Sequence, residues 1–337
     1  YMHLTFLLLV AWVGVSYYLP ERDLEAAASG VLFILVLFGI VVLHELGHAL
    51  TARRYGIDTR DITLLPIGGV ARLERMPEEP RQELLVALAG PAVNVALAGL
   101  LAVVLLLFTG TDPLGEVSLV GGDFLRNLLW VNVGLAVFNM IPAFPMDGGR
   151  VLRALLAMRL DYLKATRIAA GVGQTLAFGF GFLGLFTNPF LVLIALFIWM
   201  GAGAEAGMVE MKSSLAGLPV SRGMITDCET LLIDDPLRRA VDHVLAGFQH
   251  DWRRPVGILT RDALIRAIAQ EGLDAPVSEV MLCEFETADP AEPLEPALVR
   301  LRGSECPALA VVKGGELVGV LTVENVSELL MVRAAVR

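Results

Sequence analysis

The chain has 337 residues, 55% of them hydrophobic and only 18% charged, with a formal net charge of −10 and a mean hydropathy of +0.66. A soluble chain of this length carries more charge, so part of this one is expected to lie in a membrane. The acidic balance argues against a nucleic-acid binder, and Cys228, Cys283 and Cys306 are too few and too widely spaced for a disulfide framework or a cysteine zinc site, in keeping with a reducing cytosol.

The apolar excess ends near residue 210. Before it, six runs approach the length that spans a bilayer, at about 3–19, 29–51, 84–109, 124–142, 166–186 and 189–206. The first, "MHLTFLLLVAWVGVSYYLP", has no basic start and no A-x-A site, so it reads as a span rather than a cleaved signal peptide. Lys and Arg gather in the loops after the second and fourth spans, including Arg53, Arg54, Arg60, Arg150, Arg153 and Lys164, whereas the opposite loops hold Arg22 among acids. Those positive loops are expected to face the cytosol, and the sixth span then delivers the remaining chain there. Between the second and third spans, "DTRDITLLPIGGVARLERM" alternates and breaks at Gly68-Gly69. It predicts an extended hairpin, either dipping into the membrane against protein or lying on the surface.

The second span ends in "VVLHELGHAL". His44 and His48 are one helical turn apart on one face, with Glu45 beside them. H-E-x-x-H on a helix offers two imidazoles to one Zn²⁺ and a glutamate as general base. Two histidines satisfied by neighbouring carbonyls is the plainer explanation, but burying three such groups in an apolar span favours a metal. A catalytic zinc needs a third protein ligand. "FNMIPAFPMDGGR" at the end of the fourth span offers Asp147, behind the helix breakers Pro142 and Pro145. Alone, Asp147 reads as a helix cap; together with the histidine pair it reads as the ligand.

HELGH in the second span and N-x-x-P-x-x-P-x-D-G in the fourth resemble the site-2 protease family of intramembrane zinc metalloproteases, and "GGV" at 68–70 and "GPAVN" at 90–94 match further signatures of that family. The resemblance implies one Zn²⁺ per chain on His44, His48 and Asp147, with Glu45 activating the water. It implies Asn94 and Asn139 near the site, holding substrate or the developing oxyanion, and Gly68 and Gly69 pairing with the substrate as an added strand. It implies a multi-pass protein of the cell membrane, its site near the cytosolic side, cutting transmembrane or membrane-adjacent bonds of membrane-tethered proteins. No PDZ-like insertion separates the spans, unlike the PDZ-bearing branch.

After about residue 220 the chain repeats itself. "VGILTRDALIRAI" at 256–268 echoes "VGVLTVENVSELL" at 318–330, and "VSRGMI" at 220–225 echoes "VSEVML" at 277–282. This resembles a tandem pair of CBS domains, found on the sporulation-type branch of site-2 proteases, which implies a cytosolic α/β regulatory module, a homodimer through the pair and adenine nucleotide as a ligand. Thr260 and Thr322 match the family's nucleotide-contacting threonines, but Ala263 and Asn325 stand where an Asp would hold the ribose, so binding is expected to be weak. The hairpin "CPALAVVKGGELVG" of the second copy has no evident counterpart in the first. The expected organisation is a membrane core at 1–210, a linker at 211–222 and the CBS pair at 223–337. The fold class is thus six transmembrane helices with a membrane-associated β-hairpin plus a cytosolic α/β domain. A CBS-regulated transporter or channel is the alternative, but such a protein has no need for a glutamate base beside two histidines. An inactive scaffold is a third reading, opposed by the intact Glu45.

Overall fold

The computed structural model describes residues 4–65, 68–73, 77–109, 113, 115, 123–226, 231–232, 234–246, 257–259, 261–270, 272–281, 285–304 and 306–336. They form two compact units, Tyr1–Val209 and Glu210–Arg337.

The first unit is built of helices. α1 (Leu4–Glu21) leads to α2 (Leu24–Arg53), whose start is capped by Asp23 accepting from the Glu25 amide at 2.8 Å. β1 (Thr59–Leu65) and β2 (Gly68–Leu73) pair antiparallel, with Ile62 opposite Ala71 and a bulge between Thr59 and Asp61. α3 (Pro80–Val104) begins with a proline at its first turn and passes into a π-turn at Leu105–Thr109. α4 (Phe124–Asn139) and α6 (Tyr162–Phe186) are capped by Asp123 and Asp161, and the short α5 (Asp147–Ala157) lies between them. α7 (Pro189–Leu215) continues as helix into the segment read from sequence as a linker.

Four stretches are long and apolar enough to cross a membrane: Leu24–Arg53, Pro80–Phe108, Tyr162–Phe186 and Pro189–Leu215. The apolar stretch of α1, Leu4–Leu19, and the 16-residue α4 are shorter. Burial is inverted relative to a water-soluble protein. Leu8, Trp12, Leu100, Phe182, Phe186 and Phe190 point outward, while His44, Glu83, Asn94, Asn132, Asp147 and Arg153 are buried. Lipid is the solvent that suits such an exterior, and polar groups inside a bilayer are expected to face protein. Small residues let the helices close up: a Cβ on Gly47 of α2 would stand 2.8 Å from the Ala89 carbonyl of α3.

The second unit carries the repeat. Pro219 and Pro276 each open a single 3₁₀ turn, Val220–Arg222 and Val277–Glu279. α8 (Leu237–Ala246) and α9 (Arg261–Gln270) follow the first turn. β3 (Thr287–Ala288), α10 (Leu294–Gly303), β4 (Ala308–Lys313), β5 (Glu316–Thr322) and α11 (Val323–Val336) follow the second. β4 pairs parallel with β3 and antiparallel with β5. The β4–β5 turn uses Gly314 and Gly315 at φ 62° and 93°, a backbone that favours glycine. The copies interlock, with bridges Pro219–Pro293 and Pro236–Pro276, and Ile225 exchanges both backbone hydrogen bonds with Val320 of β5. Two cores form, one joining Leu237 and Leu264 with Val277 and the other joining Leu294, Leu309, Leu321 and Val326 with Val220, so each opening turn packs into the core of the other copy. The segment where the first copy's hairpin would fall lies largely outside the described residues, as do Thr260, Cys228 and Cys283.

Candidate metal centre

α2 presents His44 and His48 from consecutive turns into the interior, with the two Nε2 atoms 3.2 Å apart. α4 ends at Asn139, and the chain then turns through Ile141–Met146 before α5 begins at Asp147. Gly148 and Gly149 make this turn possible. A Cβ on either would stand within 2.3–2.6 Å of the backbone at Met140–Phe144. The cap position of α5 belongs to Met146, so Asp147 does not cap the helix. Its Oδ2 lies 3.2 Å from both His44 Nε2 and His48 Nε2.

The outer ring nitrogens decide what this triangle is. His48 Nδ1 donates to the Val86 carbonyl at 2.7 Å, and His44 Nδ1 lies 2.5 Å from Asn94 Oδ1. Both partners accept, so each Nδ1 carries a proton and each Nε2 is left as the inward-facing nitrogen available to a metal. Two imidazole nitrogens and one carboxylate oxygen therefore converge on one point, a donor set suited to a shared cation. Ligands of a tetrahedral ion with bonds of ~2.0–2.1 Å are separated by about 3.3 Å, so the 3.2 Å edges match one face of such a shell.

Gly90 leaves room for the group. A Cβ there would stand 2.2 Å from His48 Nε2 and 2.7 Å from His44 Nε2. Asn94 is fully buried, and its Nδ2 donates to Asn132 Oδ1 at 3.1 Å, while Asn132 donates to the Leu128 carbonyl at 2.8 Å. Gly69 of β2 passes over α2 at Val41 and Glu45, where its Cβ would be 2.9 Å from Val41 Cγ1 and 3.0 Å from Glu45 Cγ.

The structure therefore brings together His44, His48, Asp147 and Asn94, with Glu45 and Gly69 adjacent to each other. Gly68 starts β2 opposite Leu65. Asn139 closes α4 half-buried and makes no side-chain hydrogen bond among the described residues. Thr322, at the end of β5, donates its hydroxyl to Asn325 Oδ1 at 2.5 Å. Sequence reasoning passed over Gly90 and Asn132. The first lay in view within "GPAVN", where a glycine one helical turn from Asn94 marks a close approach.

Residues 32–180 match the profile of Peptidase family M50, and residues 277–332 that of the CBS domain. Rip3 of Mycobacterium tuberculosis is 30% identical over 322 residues, spanning 88% of this chain and 79% of that protein. The chain belongs to peptidase family M50, the site-2 proteases. Another M50 relative, a zinc metalloprotease of Methanocaldococcus jannaschii, is 42% identical over 214 residues. That match covers 63% of this chain and 59% of the relative, so the chain spans less than two thirds of its length. The solved Site-2 Protease from Methanocaldococcus jannaschii shares 35% identity, covering 68% of this chain and 93% of that one, with a TM-score of 0.45.

Proposed function

We propose that this M50 protein is an intramembrane zinc endopeptidase that cuts transmembrane or membrane-adjacent bonds of membrane-tethered proteins. The observation that carries the reading is the triangle of three converging potential ligand atoms, His44 Nε2, His48 Nε2 and Asp147 Oδ2, beside a glutamate. These three residues would hold one zinc, which when bound supplies Lewis-acid polarisation and water activation. Glu45 takes a proton from the attacking water at its carboxylate and passes it to the leaving nitrogen. Asn94 orients His44 through Nδ1, which supports a positioning role in place of a direct substrate contact. Asn139 is the remaining candidate to contact the substrate or the oxyanion.

A substrate helix must unwind before its carbonyls can be attacked, because they are engaged in its own hydrogen bonds. An extended substrate segment added to the β1–β2 pair, running along Gly68 and Gly69, would satisfy that backbone and lead it past Glu45. The wider reading is a cell-membrane protein with six spans, α1 to α4, α6 and α7, the active site near the cytosolic side and the second unit in the cytosol. That unit is read as a tandem CBS pair that dimerises. Its nucleotide affinity is low, because the Thr322 hydroxyl is already committed to Asn325. The transporter alternative gains nothing from a CBS domain alone. Co-expression of the wild type and Glu45→Gln with candidate single-span substrates tests the activity; equal cleavage by both would remove Glu45 from the chemistry.

A further inference from the structure

Among the described residues Arg153 is the largest fully buried side chain, and the chemistry above gives it no task. It lies on α5, six residues after Asp147. Its Nε donates to Glu83 Oε1 of α3 at 2.7 Å, its Nη2 lies 2.5 Å from the same oxygen, and its Nη1 donates to Glu205 Oε1 of α7 at 2.5 Å. The guanidinium carbon is 5.0 Å from the centre of the Phe144 ring and 5.1 Å from that of Tyr162. Phe144 belongs to the turn that delivers Asp147, and Glu83 sits one helical turn before Val86, whose carbonyl orients His48.

A buried charge fixed this way is costly to form and gives weak evidence of stability, yet it is strongly directional. α5 is a short, 11-residue helix packed against α3 and α6, and apart from Asp147 and Arg153 its buried positions are the small residues Gly148, Gly149 and Ala154. Nevertheless, its first residue must hold one oxygen at 3.2 Å from two imidazoles, where metal bonds tolerate only about 0.2 Å of error. The guanidinium fork joins α5 to the helix that carries Val86, Gly90 and Asn94, and to α7 on another side. We infer that Arg153 is a positioning residue for Asp147: forked between Glu83 and Glu205, it sets the rotation and advance of α5 and so places the third ligand against the histidine pair. This rests on the metal-centre reading of His44, His48 and Asp147.

The test uses the full chain in detergent with Co²⁺ in place of zinc, because visible absorption by Co²⁺ reports the number and geometry of its ligands. Arg153→Met combined with Glu83→Gln removes the fork without leaving Glu83 as an unpaired buried charge. The expected result is a folded protein whose Co²⁺ affinity falls by roughly 10- to 100-fold and whose absorption moves toward that of Asp147→Ala. Wild-type affinity and spectrum in the folded double variant overturn the inference. If the double variant does not fold, Arg153→Lys, which keeps the charge and loses the fork, carries the test. Its affinity is expected to drop by about tenfold, and an unchanged affinity and spectrum overturn the inference. Failure of the wild type itself to bind Co²⁺ or Zn²⁺ sinks the metal-centre reading instead, so the two failures are distinguishable.

Discussion

Replacing Gly90 with alanine places one methyl group where the three donors converge. That carbon would stand 2.2 Å from His48 Nε2, 2.6 Å from His48 Cε1 and 2.7 Å from His44 Nε2. Non-bonded heavy atoms prefer about 3.5 Å, so the imidazoles or the helix must move by more than about 1 Å. Metal bonds survive a mismatch of about 0.2 Å. Retreat of α3 would break the hydrogen bond by which its Val86 carbonyl holds His48 at 2.7 Å. Zinc affinity is therefore expected to fall at least ~100-fold, the upper end of what disturbing a ligand's surroundings does, with an overpacking cost of about 1–3 kcal/mol. Competition against a chromophoric chelator measures the first, and thermal melting of the metal-free protein the second. Gly99→Ala is the control: it lies on the same helix with nothing within 4 Å of its Cβ, and alanine there gains about 1 kcal/mol of helix propensity. Zinc binding by Gly90→Ala at wild-type strength would falsify the placement of the donors.

Three further outcomes follow from the same geometry. Metal analysis of purified wild type should find about one zinc per chain; Glu45→Gln should retain it and lose cleavage, whereas His44→Ala should lose both. Asn94→Ala frees His44 Nδ1 from its acceptor and is expected to weaken zinc by about 10- to 100-fold, and the neighbouring Asn132→Ala by less; equal affinity in all three proteins would contradict an orienting role. Titration of the full chain with ATP or AMP should show binding about 10- to 100-fold weaker than a site whose ribose is held by a charged hydrogen bond. Low-micromolar binding that disappears in Thr322→Ala would contradict the reading of Asn325.

The parts of the site that were legible in sequence are those set by spacing along one helix. His44 and His48 could be placed together from the period of α2 alone, and the proline-flanked Asp147 could be joined to them because an isolated carboxylate at the end of an apolar run invites a partner. Asp147 looked like a cap, and only the backbone shows Met146 in that place. Gly90, Asn132 and Arg153 were not legible as site residues because their roles exist only between elements. A glycine in an apolar helix usually marks helix packing, an asparagine in a span has no visible partner, and Arg153 reads as one more positive residue of a cytosolic loop. In the second unit, the echo of "VSRGMI" in "VSEVML" corresponds to two matching 3₁₀ turns. The exchange of Ile225 into contact with β5 of the other copy had no signal, because strand partners are set by folding topology and not by periodicity.

The three donors also have a mechanical meaning. His48 and Asp147 are 99 residues apart in sequence, and an ion held between them is a removable cross-link that closes a long loop of the chain. Such closures restrict the unfolded ensemble more as the loop lengthens. An ion bound here would tie α2 to the start of α5, so that the two could no longer separate independently.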